Sequence, residues 1–472
     1  MMAAMWRGIL LTVGVLAAAA GDALAQPDAA PAPDAPPADP PPPDAPPSEP
    51  EPKQPPATVP TAPATEEDDG EDWNDEPTFQ TNAYGFIDAQ FLELAFSAGL
   101  AGQEALIERE VREEKERYTL NLNLMLQGLI GQRFHWFLNF GGIDADDVDK
   151  DDLPLAIRNA WVEYPLYRDY LVLRLGKTYR RFGLYNEILD AAPTFPGVEA
   201  PEFLVEGQQL LTRTTNVMLH GTWVRGDDRL QYTLHTGNDE IATTEVPIGG
   251  DVRYALGDML LFGSSFYWSG GAARPTRNVG NGPPLGGVIN WMADDKFYVV
   301  GGYAQLTRNN LLVQVEYWRA HHDAERNPAA MLLVGAGAER LSPRLRQRFF
   351  NGVDDPMLTD VNINTAYEVQ TAWSRIAYEL DLGGAGAITP YVHLDWYSHP
   401  EAVDGSALGG NEAGLSDDGV LYKTVVGGVY RAIPQLAVKA ELNPHIVLID
   451  GSRGVFSPFQ ISISYYWRLG DD

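Results

Sequence analysis

The chain has 472 residues, no cysteine, and 65 acidic against 34 basic side chains, for a formal charge of −31. Without cysteine there is no disulfide framework, no thiol chemistry and no acceptor for a lipid anchor, and so acidic a chain argues against nucleic acid as a partner. After the N-terminal segment no stretch approaches the roughly eighteen consecutive apolar residues of a spanning helix, which argues against the inner membrane.

Met1 to Ala25 reads as a secretory signal: an early Arg7, an apolar run Ile9–Ala20, and Ala23-Leu24-Ala25 as a small-x-small cleavage site before Gln26. Residues 26–77 are a low-complexity stretch of Pro, Ala, Asp and Glu, from Pro40-Pro41-Pro42-Pro43 to Glu66-Glu67-Asp68-Asp69. With almost no apolar side chains it cannot bury a core, and proline and like charge keep it extended. It is expected to be a disordered periplasmic tail; a spacer and a contact with the cell wall both remain open.

From residue 78 to 472 the pattern changes to period two. Tyr118, Leu120, Leu122, Leu124 and Leu126 fall on one face of a strand whose other face carries Thr119, Asn121, Asn123 and Gln127. The next segment puts Phe134, Trp136, Leu138 and Phe140 opposite His135 and Asn139. Strands are expected near 79–96, 118–129, 134–142, 156–164, 170–177, 216–225, 230–237, 251–256, 259–269, 296–306, 311–320, 365–380, 388–397, 420–431, 436–446 and 459–469. Their connections alternate between short turns, such as Tyr167-Arg168-Asp169 and Gly226-Asp227-Asp228, and long segments, such as 178–215 and 321–364. This is the rhythm of an all-β, transmembrane, antiparallel up-and-down barrel of about sixteen strands, give or take two, in a bacterial outer membrane.

A soluble sandwich or propeller would also alternate. Against it stand Tyr118, Trp161, Tyr164, Tyr170, Trp268, Trp396, Tyr430 and Trp467, placed near strand ends as interfacial girdles require. The inferred inner faces, rich in Asn, Gln, Ser, Arg and Lys, would also make a poor dry core.

In so wide a barrel, selectivity needs something folded inward. The connection after the fifth strand is the place to look, because Arg174, Lys177, Arg180 and Arg181 gather basic charge there inside an otherwise acidic barrel. Either these charges contact anions at a constriction, or Arg180 and Arg181 brace the connection by pairing with Glu187, Asp190 or lumen carboxylates. Lys423, Lys439, Glu441 and Arg468 are further lumen-facing candidates, as a wall ladder or as a solute track.

The run Asp144 to Asp152 reads as a solvated acidic loop that divalent cations could bridge to lipopolysaccharide. It lacks the glycine and closing glutamate of an EF-type site. His393, Asp395 and Tyr397 share a strand face, but no serine stands in a nucleophile turn, and His321-His322-Asp323 lacks a third ligand nearby. No catalytic residue, metal or cofactor is expected.

Leu173-Arg174-Leu175-Gly176-Lys177 with Arg181-Phe182-Gly183-Leu184, and Tyr430 through Glu441, resemble segments of the phosphate-selective porin O and P family. The resemblance spans 79–472. It implies a sixteen-stranded porin, often trimeric, with the connection after strand five folded into the pore and basic residues carrying anion selectivity. Arg174, Lys177, Arg180 and Arg181 are the residues in the matching region. The expected function is passive diffusion of small hydrophilic solutes, among them anions such as phosphate. The alternatives are a structural anchor or adhesin barrel and an outer-membrane hydrolase.

Overall fold

The computed structural model describes residues 79–472 apart from 99–117, 132, 142–155, 187–196, 199–200, 202, 204–212, 238–241, 275–284, 290, 336–342, 402–419, 450–451 and 470–472. Residues 1–25, where a secretory signal is expected, the proline-rich residues 26–77 and the acidic run at 144–152 lie outside the described residues.

The strands in chain order begin with β1 Phe79–Ala98, β2 Tyr118–Ile130, β3 Phe134–Gly141, β4 Ala156–Tyr167, β5 Leu171–Tyr179, β6 Arg213–Arg225 and β7 Asp228–Gly237. After the two-residue β8 Ala242–Thr243 come β9 Ile248–Leu256, β10 Leu260–Trp268, the short β11 Ala273–Arg274, β12 Met292–Arg308, β13 Leu311–Arg326 and β14 Asn364–Tyr378. The short β15 Leu380–Asp381, then β16 Ala387–Ser398, β17 Val420–Ile433, β18 Leu436–Leu442, β19 His445–Ile449 and β20 Ser452–Leu469 complete the set. Leaving aside β8, β11, β15 and β19, sixteen long strands each pair antiparallel with their neighbours in sequence, and β20 returns to pair with β1 from Ala83↔Leu469 to Ala98↔Val455. The protein is a closed sixteen-stranded transmembrane up-and-down barrel, and each of the sixteen expected segments overlaps one of its strands.

Alternation explains the wall. Along β13, Val315 and Tyr317 are exposed at 43% and 39% on the outside, while Glu316 and Trp318 are buried at 3% and 0% inside. A single-residue slip would exchange these sets, which is why the register is held from Asp294↔Glu325 to Arg308↔Leu311 between β12 and β13, below a shift at Met292, and over the whole β13–β14 ladder. The short connections gather at one end. Gly226, at φ 62, opens the two-residue turn from β6 to β7, a conformation that favours glycine.

Exposed aromatics mark both rims of the outer face. Tyr167, Tyr170, Trp223, Tyr378, Tyr430 and Tyr465 stand toward the turn end, and Trp268, Tyr298, Tyr317 and Tyr422 toward the long-loop end. Trp223 stacks on Tyr232 at 4.9 Å between ring centres, and the Tyr232 hydroxyl donates to the Tyr170 carbonyl at 2.7 Å, so apolar rings meet lipid while polar tips tie down the turn. Trp161 departs from the expectation. It shares the inward face with Glu163, stacks on Phe137 at 5.3 Å and lies beneath the Arg174 guanidinium at 4.1 Å.

The inside is not uniformly wet. Asp88, Asn123, Asn139, Asn159, Thr178 and Asn216 line β1 to β6, as expected of a polar lumen. The sector from β10 to β16 instead points Tyr267, Phe297, Tyr303, Trp318, Tyr367, Trp373 and Tyr397 inward, all at 4% exposure or less. They pack with Phe182, Tyr185 and Phe203 from the β5–β6 connection and with Leu345, Phe349 and Phe350 of the helix Pro343–Phe350. Each large side chain so buried contributes about 1.5–3 kcal/mol. A dry aromatic core inside one half of the barrel was not anticipated from the sequence.

Candidate functional site

The β5–β6 connection turns inward as soon as β5 ends. Arg180 is buried, donates to the Thr214 hydroxyl at 3.2 Å and lies 4.9 Å from the centre of the Tyr267 ring. Its carbonyl accepts the Asn186 side-chain amide at 2.6 Å, closing a tight bend. Inside that bend Gly183 adopts φ 66, and an added Cβ would sit 2.9 and 3.0 Å from the Glu316 carboxylate oxygens. Glycine is required here on both counts.

The bend is fastened to strands across the lumen. The Gly183 amide donates to the Ser265 hydroxyl at 3.1 Å, and Ser265 in turn donates to Asp251 at 2.7 Å. Asp251 also accepts from the Tyr303 hydroxyl at 2.7 Å and from Arg253 at 2.9 Å. The Leu184 amide donates to Glu316 at 2.5 Å, and the second oxygen of Glu316 accepts from the Trp318 indole at 2.9 Å. Phe182 packs on Trp318 with ring centres 4.3 Å apart.

Tyr185 completes this latch. Its hydroxyl donates to the Gln314 side-chain carbonyl at 3.1 Å and accepts from the Arg375 guanidinium. Burial pushes the Tyr185 hydroxyl up to about 12 despite the nearby Arg375 charge, so it stays a neutral phenol able to do both. The guanidinium itself sits among the rings of Tyr185, Trp373 and Tyr391 at 5.3, 5.6 and 5.6 Å.

A second latch holds the same connection further along, from two inward side chains of β18. Lys439 donates to the Gly197 carbonyl at 2.9 Å, and the Glu441 carboxylate accepts from the Val198 amide. Both side chains are buried, at 1% and 2% exposure. A connection that leaves β5 and is held by β10, β13, β14 and β18 crosses the interior of the barrel. It takes up part of the barrel's interior.

The residues singled out from sequence are thus distributed over different roles. Arg174 faces inward but is braced to Glu163 at 2.7 Å, an oxygen that the His220 ring also contacts at 2.7 Å. Lys177 is exposed on the same strand face as the outward Leu175, with its ammonium 3.3 Å from the Ile157 carbonyl, away from the lumen. Arg180 and the half-buried Arg181 begin the inward connection; the suggested partners Glu187 and Asp190 lie outside the described residues. Lys423 faces inward opposite Asp395, Lys439 and Glu441 form the second latch, and Arg468 is exposed near the end of β20. His393 and Asp395 approach at 3.3 Å inside the wall. His321 faces outward near Glu368, whereas His322 is buried against Asp295 at 2.8 Å, so the two adjacent histidines point apart.

Gln314, Glu316, Arg375, Tyr185 and Ser265 were not found from sequence. The only available signal was that Gln314 and Glu316 occupy inward positions of an alternating strand.

Fold and site together define a transmembrane β-barrel with an internally latched connection. No family model matches the chain, and no curated protein matches it. Among solved structures it is similar to OmpF of Salmonella typhi, in a complex with daunomycin, at 12% identity, covering 82% of this chain and 97% of that one with a TM-score of 0.47. It is similar to an anion-selective porin from Comamonas acidovorans at 12% identity, covering 83% and 100% with a TM-score of 0.46. It is also similar to the outer-membrane channel DcaP of Acinetobacter baumannii at 8% identity, covering 82% and 97% with a TM-score of 0.45.

Proposed function

We propose that the chain is an outer-membrane porin through which small hydrophilic solutes diffuse passively, with a preference for anions such as phosphate. The observation that carries the reading is the inward connection, bonded at Gly183–Tyr185 and again at Gly197–Val198 to strands across a closed transmembrane barrel. A structural anchor has no use for a doubly fastened segment inside its wall, whereas a diffusion channel needs one to set its bore. In this reading the half-buried Arg181, at the start of the connection, carries the anion preference, while the buried Arg180 anchors the bend behind it. Arg174 acts through its brace to Glu163. No cofactor takes part and no reaction is catalysed.

The barrel sits among outer-membrane lipids and lipopolysaccharide with the tail in the periplasm, and a homotrimer is the assembly that accords with the family resemblance. The test is swelling of liposomes carrying the refolded chain. Entry of phosphate and small sugars with a sharp size limit is expected. Absence of swelling with every solute, from liposomes shown to hold folded barrel, refutes the proposal.

A further inference from the structure

At the long-loop end, the connection from β13 to β14 folds back over the barrel instead of standing free. It carries the helices Pro328–Gly335 and Pro343–Phe350, and Met331, Leu345, Phe349 and Phe350 from them are buried in the same apolar cluster as Leu285, Val288, Ile289 and Trp291. Arg348, in the last turn of the second helix, fastens this cap at its base by donating to Glu401. Glu401 also takes two bonds from Arg326 of β13, at 2.7 and 3.0 Å, and one from the Thr365 hydroxyl of β14 at 3.1 Å. Arg326 further donates to the Asn362 carbonyl within the cap. Glu401 is therefore a buried hub for the second helix, β13 and β14.

The backbone of Glu401 is held in turn by His399. Its Nδ1 accepts the Glu401 backbone N–H at 3.2 Å, and its Nε2 is buried with no hydrogen-bond partner among the described residues. The Nδ1 nitrogen can hold the bond only while unprotonated. A proton on it would set donor against donor. His322 beside it is arranged in the opposite sense, with both ring nitrogens facing acceptors, Asp295 at 2.8 Å and the Leu285 carbonyl at 3.1 Å.

The groups facing His399 are His322 and Arg326 from β13, Asp295 of β12 through the Tyr367 hydroxyl of β14, Arg348 from the helix, and Tyr397 and Glu401 on its own segment. Burial, with His322 and Arg348 close by, holds His399 well below its ordinary value of 6.5. We infer that the β13–β14 connection is an acid-released cap, freed from the end of the barrel when His399 takes up a proton and the Glu401 hub loses its orientation.

The sign follows from linkage. The closed cap keeps His399 neutral, while a released His399 binds protons like a free imidazole, so closure is complete above about pH 6.5 and weakens as pH falls below it. By this factor the ratio of released to closed cap rises about 30-fold at pH 5 relative to pH 7.5. Nothing in this hub requires the barrel to conduct, so the two readings fail separately.

The experiment is hydrogen exchange of peptides spanning 343–350 in the full refolded chain, at pH 7.5 and pH 5, with each rate taken relative to His399→Gln at the same pH. The glutamine keeps an acceptor for the Glu401 N–H and cannot titrate. Wild type is expected to lose about 30-fold in relative protection at pH 5, and a ratio that does not move between the two pH values overturns the inference. If the variant does not fold, the wild-type profile decides. A loss of protection centred well below pH 5 points to carboxylate protonation and overturns it, and one that sets in as pH drops below about 6.5 supports it.

Discussion

Replacing Tyr185 by Phe removes one oxygen and little else, because the ring keeps its edge contact with Trp373 at 5.2 Å. Two buried hydrogen bonds go with it. The first is the bond accepted from the Arg375 guanidinium, of the charged kind that contributes about 1.5–3 kcal/mol; the second is the bond donated to Gln314, worth about 0.5–1.5 kcal/mol. Arg375 keeps its ring contacts with Trp373 and Tyr391, so the loss is confined to the latch. A total of about 2–4.5 kcal/mol corresponds to a roughly 30- to 2,000-fold rise in the released fraction of the Gly183–Asn186 bend. Hydrogen exchange of peptides covering the Gly183 and Leu184 amides, which are tied to Ser265 and Glu316, reads that rise directly. The barrel itself should keep its heat-modifiable gel mobility. Unchanged exchange in the variant would show that these bonds do not fix the connection, and the two-latch account would fail.

Gly183→Ala should destabilise the bend by about 1–3 kcal/mol, since it combines a positive φ with a Cβ pressed against Glu316 and Trp318. Thermal unfolding of the refolded barrel checks it, and a transition at the wild-type temperature counts against the geometry. Lys177→Ala should leave the reversal potential in a KCl gradient where it was, because that ammonium lies on the outer face; Arg181→Ala should shift it toward cations. Lys439→Met removes the donor to Gly197 and should speed exchange around residues 197–198 several-fold while leaving the Gly183 bend protected, which tests whether the two latches act independently.

The order of the strands was legible because each crosses the membrane with an apolar outer face and a different inner one. Legibility ends where that contrast ends. The segment expected at 311–320 runs on to Arg326, and its added outward positions, His321, Asp323 and Glu325, lie beyond the exposed Tyr317 and carry no apolar signal. β12 begins at Met292, ahead of the expected 296, for the same reason, with Asp294 and Lys296 on that face. The aromatic half of the lumen was hidden for the opposite reason: Phe297 and Val299 face inward while Tyr298 and Val300 face out, so both faces read as apolar. The inward course of the β5–β6 connection was expected, and Arg180 lies within it. Its fastening was not legible, since Lys439 and Glu441 meet backbone groups of Gly197 and Val198 at the far end of the sequence, and backbone partners leave no mark in composition.

The proposed channel has its bore set by the latched connection, and planar-bilayer recording of the refolded chain in KCl, beside Tyr185→Phe, decides whether it does. Discrete ohmic steps are expected from wild type, and larger or noisier steps from the variant. No steps from either protein, with folded barrel verified in the membrane, would rule the channel out.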